Sequence, residues 1–425
     1  LLKPPCIVAL RLSGDLNADR IADALTLVAR RHTALRWSFP APDHARCAPV
    51  DQACWPLDVV DSAGISAVDR AREEQELLAE LEEPFRPEAF PLVRGKLLRW
   101  DGGGLLGLAI DHLVFDGASI GVFLNDLSYV HDRLAAGASI ASLDRTVSDF
   151  AGFADAESRW LAGPHGASAL DYWLDRWAGV GPFPRVPVRV RDLDPVRDPV
   201  MATTHEVTVP GSALKALSGT LRAGYFSPFM LIGAAFVSGL RNLSGENDLG
   251  FIYANNRRNT PEARTGIGFY INRVVLRVAL DDAPEFGIVC AKVRTAALDG
   301  LRHGMMPFEE LLSHVLPERQ YRLPTVPYLY INDIPQPRTA QMRGLCTELV
   351  WPDRRNLIPD RNKLSVQLRG RPDGGVLVRC TYDESVFPRR SIEPLMALVT
   401  ARLGVGDLEP VTTTTSSSTT RKAVR

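Results

Sequence analysis

Residues 179–199, dense in Pro, Gly and Arg, interrupt the chain between two stretches that repeat one mixture of strand-like and helix-like segments. A chain of 425 residues is too long for one ordinary core. The break therefore sets the expected architecture: an α/β lobe over 1–178, a linker over 179–199, a second α/β lobe over 200–410, and a flexible Thr/Ser-rich tail over 411–425. Thr412 to Thr420 are all Thr or Ser, a composition that cannot bury a core.

In the first stretch, Cys6 to Leu12 reads as a strand and Ile21, Ala24, Leu25, Leu27 and Val28 mark one face of a helix. A second strand is expected over 35–39, loop over 40–56 and a charged helix near 66–82. Residues 91–100 and 105–110 read as strands joined by the turn Asp101-Gly102-Gly103-Gly104. A helix over 119–135 follows, its apolar stripe formed by Ile120, Phe123, Leu124, Leu127 and Leu134. Helices near 147–162 and 168–178 close this half. Later strands are expected near 203–209, 249–255, 269–279, 325–332, 363–369 and 375–382. Later helices are expected near 211–222, 228–243, 284–300, 307–314 and 389–404.

Charge excludes several functions. The 49 Lys and Arg balance 50 Asp and Glu, with no basic run suited to tracking phosphates, so no nucleic-acid partner is expected. Cys6, Cys47, Cys54, Cys290, Cys346 and Cys380 are scattered without zinc-type spacing, which reads as free thiols in a reducing cytoplasm and no metal site. No Gly-rich phosphate loop follows a strand. No apolar run is long enough to span a membrane. The opening Leu1-Leu2-Lys3-Pro4-Pro5 lacks both a signal-peptide layout and a starting Met, so residues are expected ahead of Leu1.

The stretch that carries chemistry is Asp111-His112-Leu113-Val114-Phe115-Asp116-Gly117-Ala118-Ser119. An apolar strand runs into it and an amphipathic helix leaves it, which puts His112 where a strand stops pairing and a loop begins. An imidazole ordinarily titrates near about 6.5, so it can take a proton from an amine or hydroxyl as that group attacks an acyl carbon. Asp116 can accept hydrogen bonds or meet a cation, and Gly117 lets the backbone turn into the helix. Alone, a histidine at a strand end is an ordinary structural feature; its surroundings give it weight.

The stretch resembles the H-H-x-x-x-D-G motif of condensation domains of nonribosomal peptide synthesis, within the chloramphenicol acetyltransferase-like superfamily. Other stretches agree in the family's order. Arg31-His32-Thr33-Ala34-Leu35-Arg36-Trp37-Ser38-Phe39 resembles its R-H-x-x-L-R-x-x-F, and Pro84-Phe85 with Pro91-Leu92-Val93-Arg94 resembles its P-F then P-L-x-R. Asp171-Tyr172-Trp173 is similar to its Y-W, Gly268-Phe269-Tyr270-Ile271-Asn272 to its G-x-F-x-N, and His303 with Pro307-Phe308-Glu309 to its H then P-F-E. The resemblance implies two chloramphenicol acetyltransferase-like α/β sandwich lobes in a V-shaped pseudo-dimer.

The resemblance also implies a reaction. An amine attacks a carrier-protein-bound thioester, giving an amide, with His112 as the catalytic residue. It implies donor and acceptor carrier proteins, or a soluble amine acceptor, as partners; their phosphopantetheine arms are the only prosthetic groups, with none bound directly by this chain. Activity should then fall as pH drops through the imidazole range. Asp116 takes a structural part, expected as an ion pair with Arg36 that holds the loop presenting His112. Gly117 offers tight-turn geometry or a backbone N–H to a developing oxyanion. Asn272 is expected at a lobe crossover or tunnel wall, and Ser119 as the cap of the following helix.

Asp111 stands where the family has its first motif histidine. Asp111, Asp116 and Ser119 together also satisfy the D-x-x-x-x-D-x-x-S pattern of heterocyclising variants, although His112 and the 268–272 stretch follow the amide-forming type. A non-catalytic platform that recruits partner enzymes, an ester-forming enzyme and a heterocyclising variant are the alternatives.

Overall fold

The computed structural model describes residues 4–178, 186, 200–221, 224–315, 327–334, 337, 339–351, 360, 362–405 and 411–417. In chain order its strands are β1 (Cys6–Gly14), β2 (Trp37–Ala41), β3 (His44–Cys47), β4 (Leu57–Asp61), β5 (Val93–Trp100), β6 (Gly103–Ile110) and β7 (Val200–Val209). They continue as β8 (Asp248–Asn256), β9 (Ile271–Ala279), β10 (Tyr328–Ile334), β11 (Leu345–Val350), β12 (Lys363–Gly370), β13 (Val376–Asp383) and β14 (Val411–Ser417). The helices are α1 (Ala18–Arg31), α2 (Ala67–Glu80), α3 (Ser119–Ala135), α4 (Ile140–Leu143), α5 (Phe150–Leu161) and α6 (Pro164–Trp177). After them come α7 (Gly211–Thr220), α8 (Pro228–Ser244), α9 (Pro261–Thr265), α10 (Phe286–His303), α11 (Phe308–Val315) and α12 (Arg389–Arg402).

Two compact α/β units result. One comprises Leu1–Arg159, Asn256–Ile271 and Pro337–Asp353; the other comprises Trp160–Asn255, Asn272–Gln336 and Arg354–Arg425. The division expected at 178 thus lies near 159, because Trp173 and Trp177 of α6 bury themselves in the second core. Two pieces of the later half belong to the first unit. Of the expected linker over 179–199, only Val186 falls within the described residues.

The first unit is built on a sheet of order β11-β1-β6-β5-β4. Strand β6 is buried along its whole length, which its unbroken apolar and glycine sequence permits. Gly104 and Gly107 are needed there, since a Cβ would strike the Leu98 carbonyl or the Leu77 side chain. Helix α1 opens with Asn17 Oδ1 accepting the Arg20 N–H at 2.8 Å and turns Ile21, Ala24, Leu25 and Val28 into the core. The expected strand over 35–39 begins instead as a 3-10 turn, Thr33–Arg36, before β2.

At the end of α1, Arg31 grips Asp126 with both arms, Nε to Oδ2 at 2.8 Å and Nη2 to Oδ1 at 2.9 Å. His32 Nε2 lies 3.1 Å from the same carboxylate, and its Nδ1 lies 2.8 Å from Ser148 Oγ. Burial works to raise the Asp126 pKa, but the bonds from His32 and Arg31 outweigh it and hold the carboxyl below its ordinary value. A depressed folded value stabilises the fold where the unfolded carboxylate is ionised, above about pH 4, and the contribution disappears as pH falls through the lower folded value. Asp126→Asn is therefore expected to cost about 2 kcal/mol at pH 7. Denaturant melts at stepped pH should show the gap to native closing under acid.

The second unit carries a seven-stranded sheet of order β14-β7-β13-β12-β10-β8-β9. Helix α8 packs against both α10 and α12, with Ile232, Phe236, Val293, Leu395 and Val399 in the shared core. The Thr/Ser tail needs correction. Residues 411–417 are not a flexible linker but the edge strand β14, paired antiparallel with β7 in the register Thr413↔Thr204 and Thr415↔Ala202. Threonine is β-branched and strand-forming, and an edge strand requires a backbone ladder rather than an apolar face. Residues 418–425 lie outside the described residues.

Candidate active site

Strand β6 delivers the chain to Asp111, whose N–H still bonds the Leu92 carbonyl at 2.9 Å. Pairing ends there. The Asp111 carbonyl accepts the Val114 N–H at 3.2 Å, closing a turn with His112 and Leu113 at its apex. Asp111 Oδ1 accepts the Leu113 N–H at 2.7 Å. Asp111 is buried, Leu113 exposed and His112 half-buried between them. The imidazole meets the Phe269 ring edge to face, with centroids 5.5 Å apart and planes at 78°. Val114 and Phe115 then plunge into the core and fix the far side of the turn.

Asp116, at 0 % exposure, is the hub. Its Oδ1 accepts from the Ser119 N–H at 2.7 Å, the Ser119 hydroxyl at 2.8 Å and Arg258 Nη2 at 2.8 Å. Its Oδ2 accepts the Tyr270 N–H at 3.0 Å. Arg258 Nη2 also reaches Ser119 Oγ at 2.7 Å, while Nη1 donates to the Ala263 and Gly266 carbonyls. Ser119 Oγ accepts the Gly268 N–H at 3.2 Å and lies 3.0 Å from the Gly268 carbonyl, an alternative acceptor for its one O–H. One buried carboxylate thus ties the motif loop, the first turn of α3 and the segment 258–270 into one network. The Gly117 carbonyl accepts the Ile120 N–H at 3.4 Å as α3 begins.

Aromatic rings back the network. The Arg258 guanidinium lies 4.1 Å above the Tyr270 ring, and that ring meets Phe150 and Phe153 at 5.1 and 4.7 Å. A Cβ at Gly268 would collide with Phe150, so the packing requires glycine there. Burial pushes the Tyr270 phenol up to about 12, which keeps it neutral at ordinary pH.

Two expectations are corrected. Asp116 pairs with Arg258, not Arg36: Arg36 donates to the Ala48 carbonyl at 2.6 Å while its own carbonyl accepts the Ala48 N–H at 2.8 Å. The 3-10 turn that carries Arg36 aims it at the chain leaving β3. Ser119 is not the cap of α3; Asp116 supplies the acceptor for the first free N–H, and Ser119 Oγ bridges Asp116, Arg258 and Gly268.

Asn272 lies outside this network and is the residue at which the chain enters the second unit after Ile271. Its Nδ2 donates to the Gly304 and Met306 carbonyls at 2.9 and 2.6 Å, and its Oδ1 accepts the Phe308 N–H at 3.0 Å. The buried amide clamps the turn from α10 to α11, so Asn272→Ala should cost about 1–3 kcal/mol, read in a denaturant melt. Among the described residues, no cluster of His, Cys, Asp or Glu is placed to hold a metal, and no helix is long and apolar enough to cross a membrane. All six cysteines are free.

Arg258 is the residue that sequence reasoning missed. Its signal was the adjacent pair Arg257-Arg258 closing a strand-like run, with a glycine- and aromatic-rich stretch just beyond. Arginine is the cation suited to a buried multidentate bond.

A family model described as "Condensation domain" matches residues 6–403. Phosphinothricin tripeptide synthetase PhsC of Streptomyces viridochromogenes is 32% identical over 320 residues, covering 73% of this chain and 29% of the synthetase. The chain therefore spans less than a third of that relative's length. Among solved structures, the X-domain from teicoplanin biosynthesis superposes with a TM-score of 0.77 at 21% identity, over 95% of this chain and 90% of that one. VibH, described as an NRPS condensation enzyme, superposes with a TM-score of 0.71 at 16% identity, over 95% and 92%.

Proposed function

We propose, from the premise that this chain belongs to the condensation-domain family of nonribosomal peptide synthesis, that it forms an amide by acyl transfer from a carrier-bound thioester to an amine. His112 takes the proton from the amine nitrogen as that nitrogen bonds to the thioester carbon. The carbon–sulfur bond then breaks, and the departing thiolate of the carrier's arm recovers a proton. A positioned base of this kind contributes about 10²–10⁴-fold. Tethering both substrates to carriers supplies much of the rest through effective molarity, so neither needs tight binding. The Gly117 N–H is our candidate donor to the developing oxyanion.

One observation carries this reading: His112 stands half-buried at a turn apex whose base is fixed by the buried Asp116–Arg258–Ser119 network. A preorganised, half-buried imidazole suits proton transfer. Asp111 in place of the first motif histidine is what favours the second reading, a platform that recruits partner enzymes without chemistry of its own. Retention of His112, Asp116 and Gly117 around an intact network favours catalysis. Donor and acceptor carrier proteins, loaded with a panel of aminoacyl and acyl groups, separate the two. An acceptor whose mass grows by the donor acyl group supports condensation. No product from any pair, with tight binding of a tailoring enzyme, supports the platform.

A further inference from the structure

We propose that Asp111 is a positioning residue for His112, and that it acts as a hydrogen-bond acceptor within the turn rather than as a charge. The inference rests on the condensation reading for its kinetic consequence alone. The turn runs from Asp111 to Val114, closed by the Val114 N–H on the Asp111 carbonyl at 3.2 Å. Its first position favours Asp, Asn or Ser, because a short side chain can accept the backbone N–H two residues on. Asp111 does so, with Oδ1 at 2.7 Å from the Leu113 nitrogen.

The geometry makes this bond matter to His112 in particular. His112 and Leu113 are the two apex residues, so each backbone bond across the turn restricts the dihedrals that aim the imidazole. The Asp111 backbone is itself anchored to β5's approach through the Leu92 carbonyl at 2.9 Å. The carboxylate is buried, so water is a poor substitute for the lost acceptor. The Phe269 ring then fixes the imidazole from the side at a centroid distance of 5.5 Å. Backbone and ring contacts are thus supplied separately, and the residue that departs from the family pattern supplies the first. A misplacement of about 1 Å in a catalytic group can cost around a hundredfold in rate, so partial loosening of the turn is expected to be visible kinetically.

Three variants distinguish acceptor from charge. Asp111→Asn keeps the acceptor and removes the charge; Asp111→Ala removes both; Asp111→Ser keeps a shorter acceptor. Two readouts are used on the whole chain: kcat and KM with loaded carrier proteins, and hydrogen exchange of the peptide spanning 111–118 without substrate. We expect Asp111→Ala to lower kcat about tenfold with KM within roughly twofold, and to speed exchange of that peptide about tenfold. Asp111→Asn should stay within about threefold of native in both, with Asp111→Ser between. Native-like exchange in Asp111→Ala overturns the proposal, as does an Asp111→Asn protein that behaves like Asp111→Ala. Should the native protein give no amide with any carrier pair, the condensation reading fails, and the exchange rates still decide the role of Asp111.

Discussion

Asp116→Ala and Arg258→Ala should each lose roughly 3–5 kcal/mol of stability, enough to leave much of either protein insoluble at growth temperature. Removing the carboxylate strands a buried guanidinium and leaves the Tyr270 N–H and the Ser119 N–H short of an acceptor. Removing Arg258 strands a carboxylate with no exposed surface and also frees the Ala263 and Gly266 carbonyls. An apolar double replacement, Asp116→Leu with Arg258→Met, should lose less than the two single losses added, because no unpaired charge remains. Arg36→Ala should cost only about 1 kcal/mol, the worth of its bond to the Ala48 carbonyl. Chemical melts of the four proteins test this order. A soluble, native-like Asp116→Ala that fails only in turnover would give the carboxylate a part in the chemistry.

The second large effect is kinetic. His112→Ala should leave stability within about 0.5 kcal/mol of native, since the half-buried ring carries little of the core. Amide formation should slow about 10²–10⁴-fold, the ordinary range for loss of a positioned base. The slowed reaction should still exceed the rate without protein, because tethering two carriers raises effective molarity without help from the imidazole. His112→Ala and Asp116→Ala should thus separate two ways of losing activity: a folded protein without the proposed base, and a protein without its fold.

Much of this architecture was legible in the sequence because its elements announce themselves locally. Helix α3 occupies the expected 119–135, since its apolar stripe and the glycine before it are both near-neighbour signals. Strands β5 and β6 follow from alternation, an apolar run and a glycine turn. What stayed hidden depends on distance or on polar sequence. Strand β11 reads Leu345-Cys346-Thr347-Glu348-Leu349-Val350, without the alternation that marks a strand, and its partner β1 lies at the other end of the chain. Strand β14 is all Thr and Ser after its first residue, and only the open edge of β7 makes a strand of it.

The site divides in the same way. His112, Asp116 and Gly117 share one short stretch, so motif and geometry coincide. The cation for Asp116 is 142 residues away in sequence, and nothing local distinguishes Arg258 from Arg36 as its partner. Arg36 lies nearer to Asp116 in sequence and within the motif set, yet its backbone places it on the Ala48 carbonyl. Ser119 had the residue type of a helix cap, and only the approach of Gly268 and Arg258 shows that its hydroxyl is a bridge.

The most direct test is a rapid-quench single-turnover comparison of native protein and His112→Ala, each saturating a loaded donor carrier and a loaded acceptor carrier. The account predicts amide accumulating on the acceptor with the native chain, and at least about a hundredfold more slowly with the equally folded variant. Equal rates for the two proteins would contradict it.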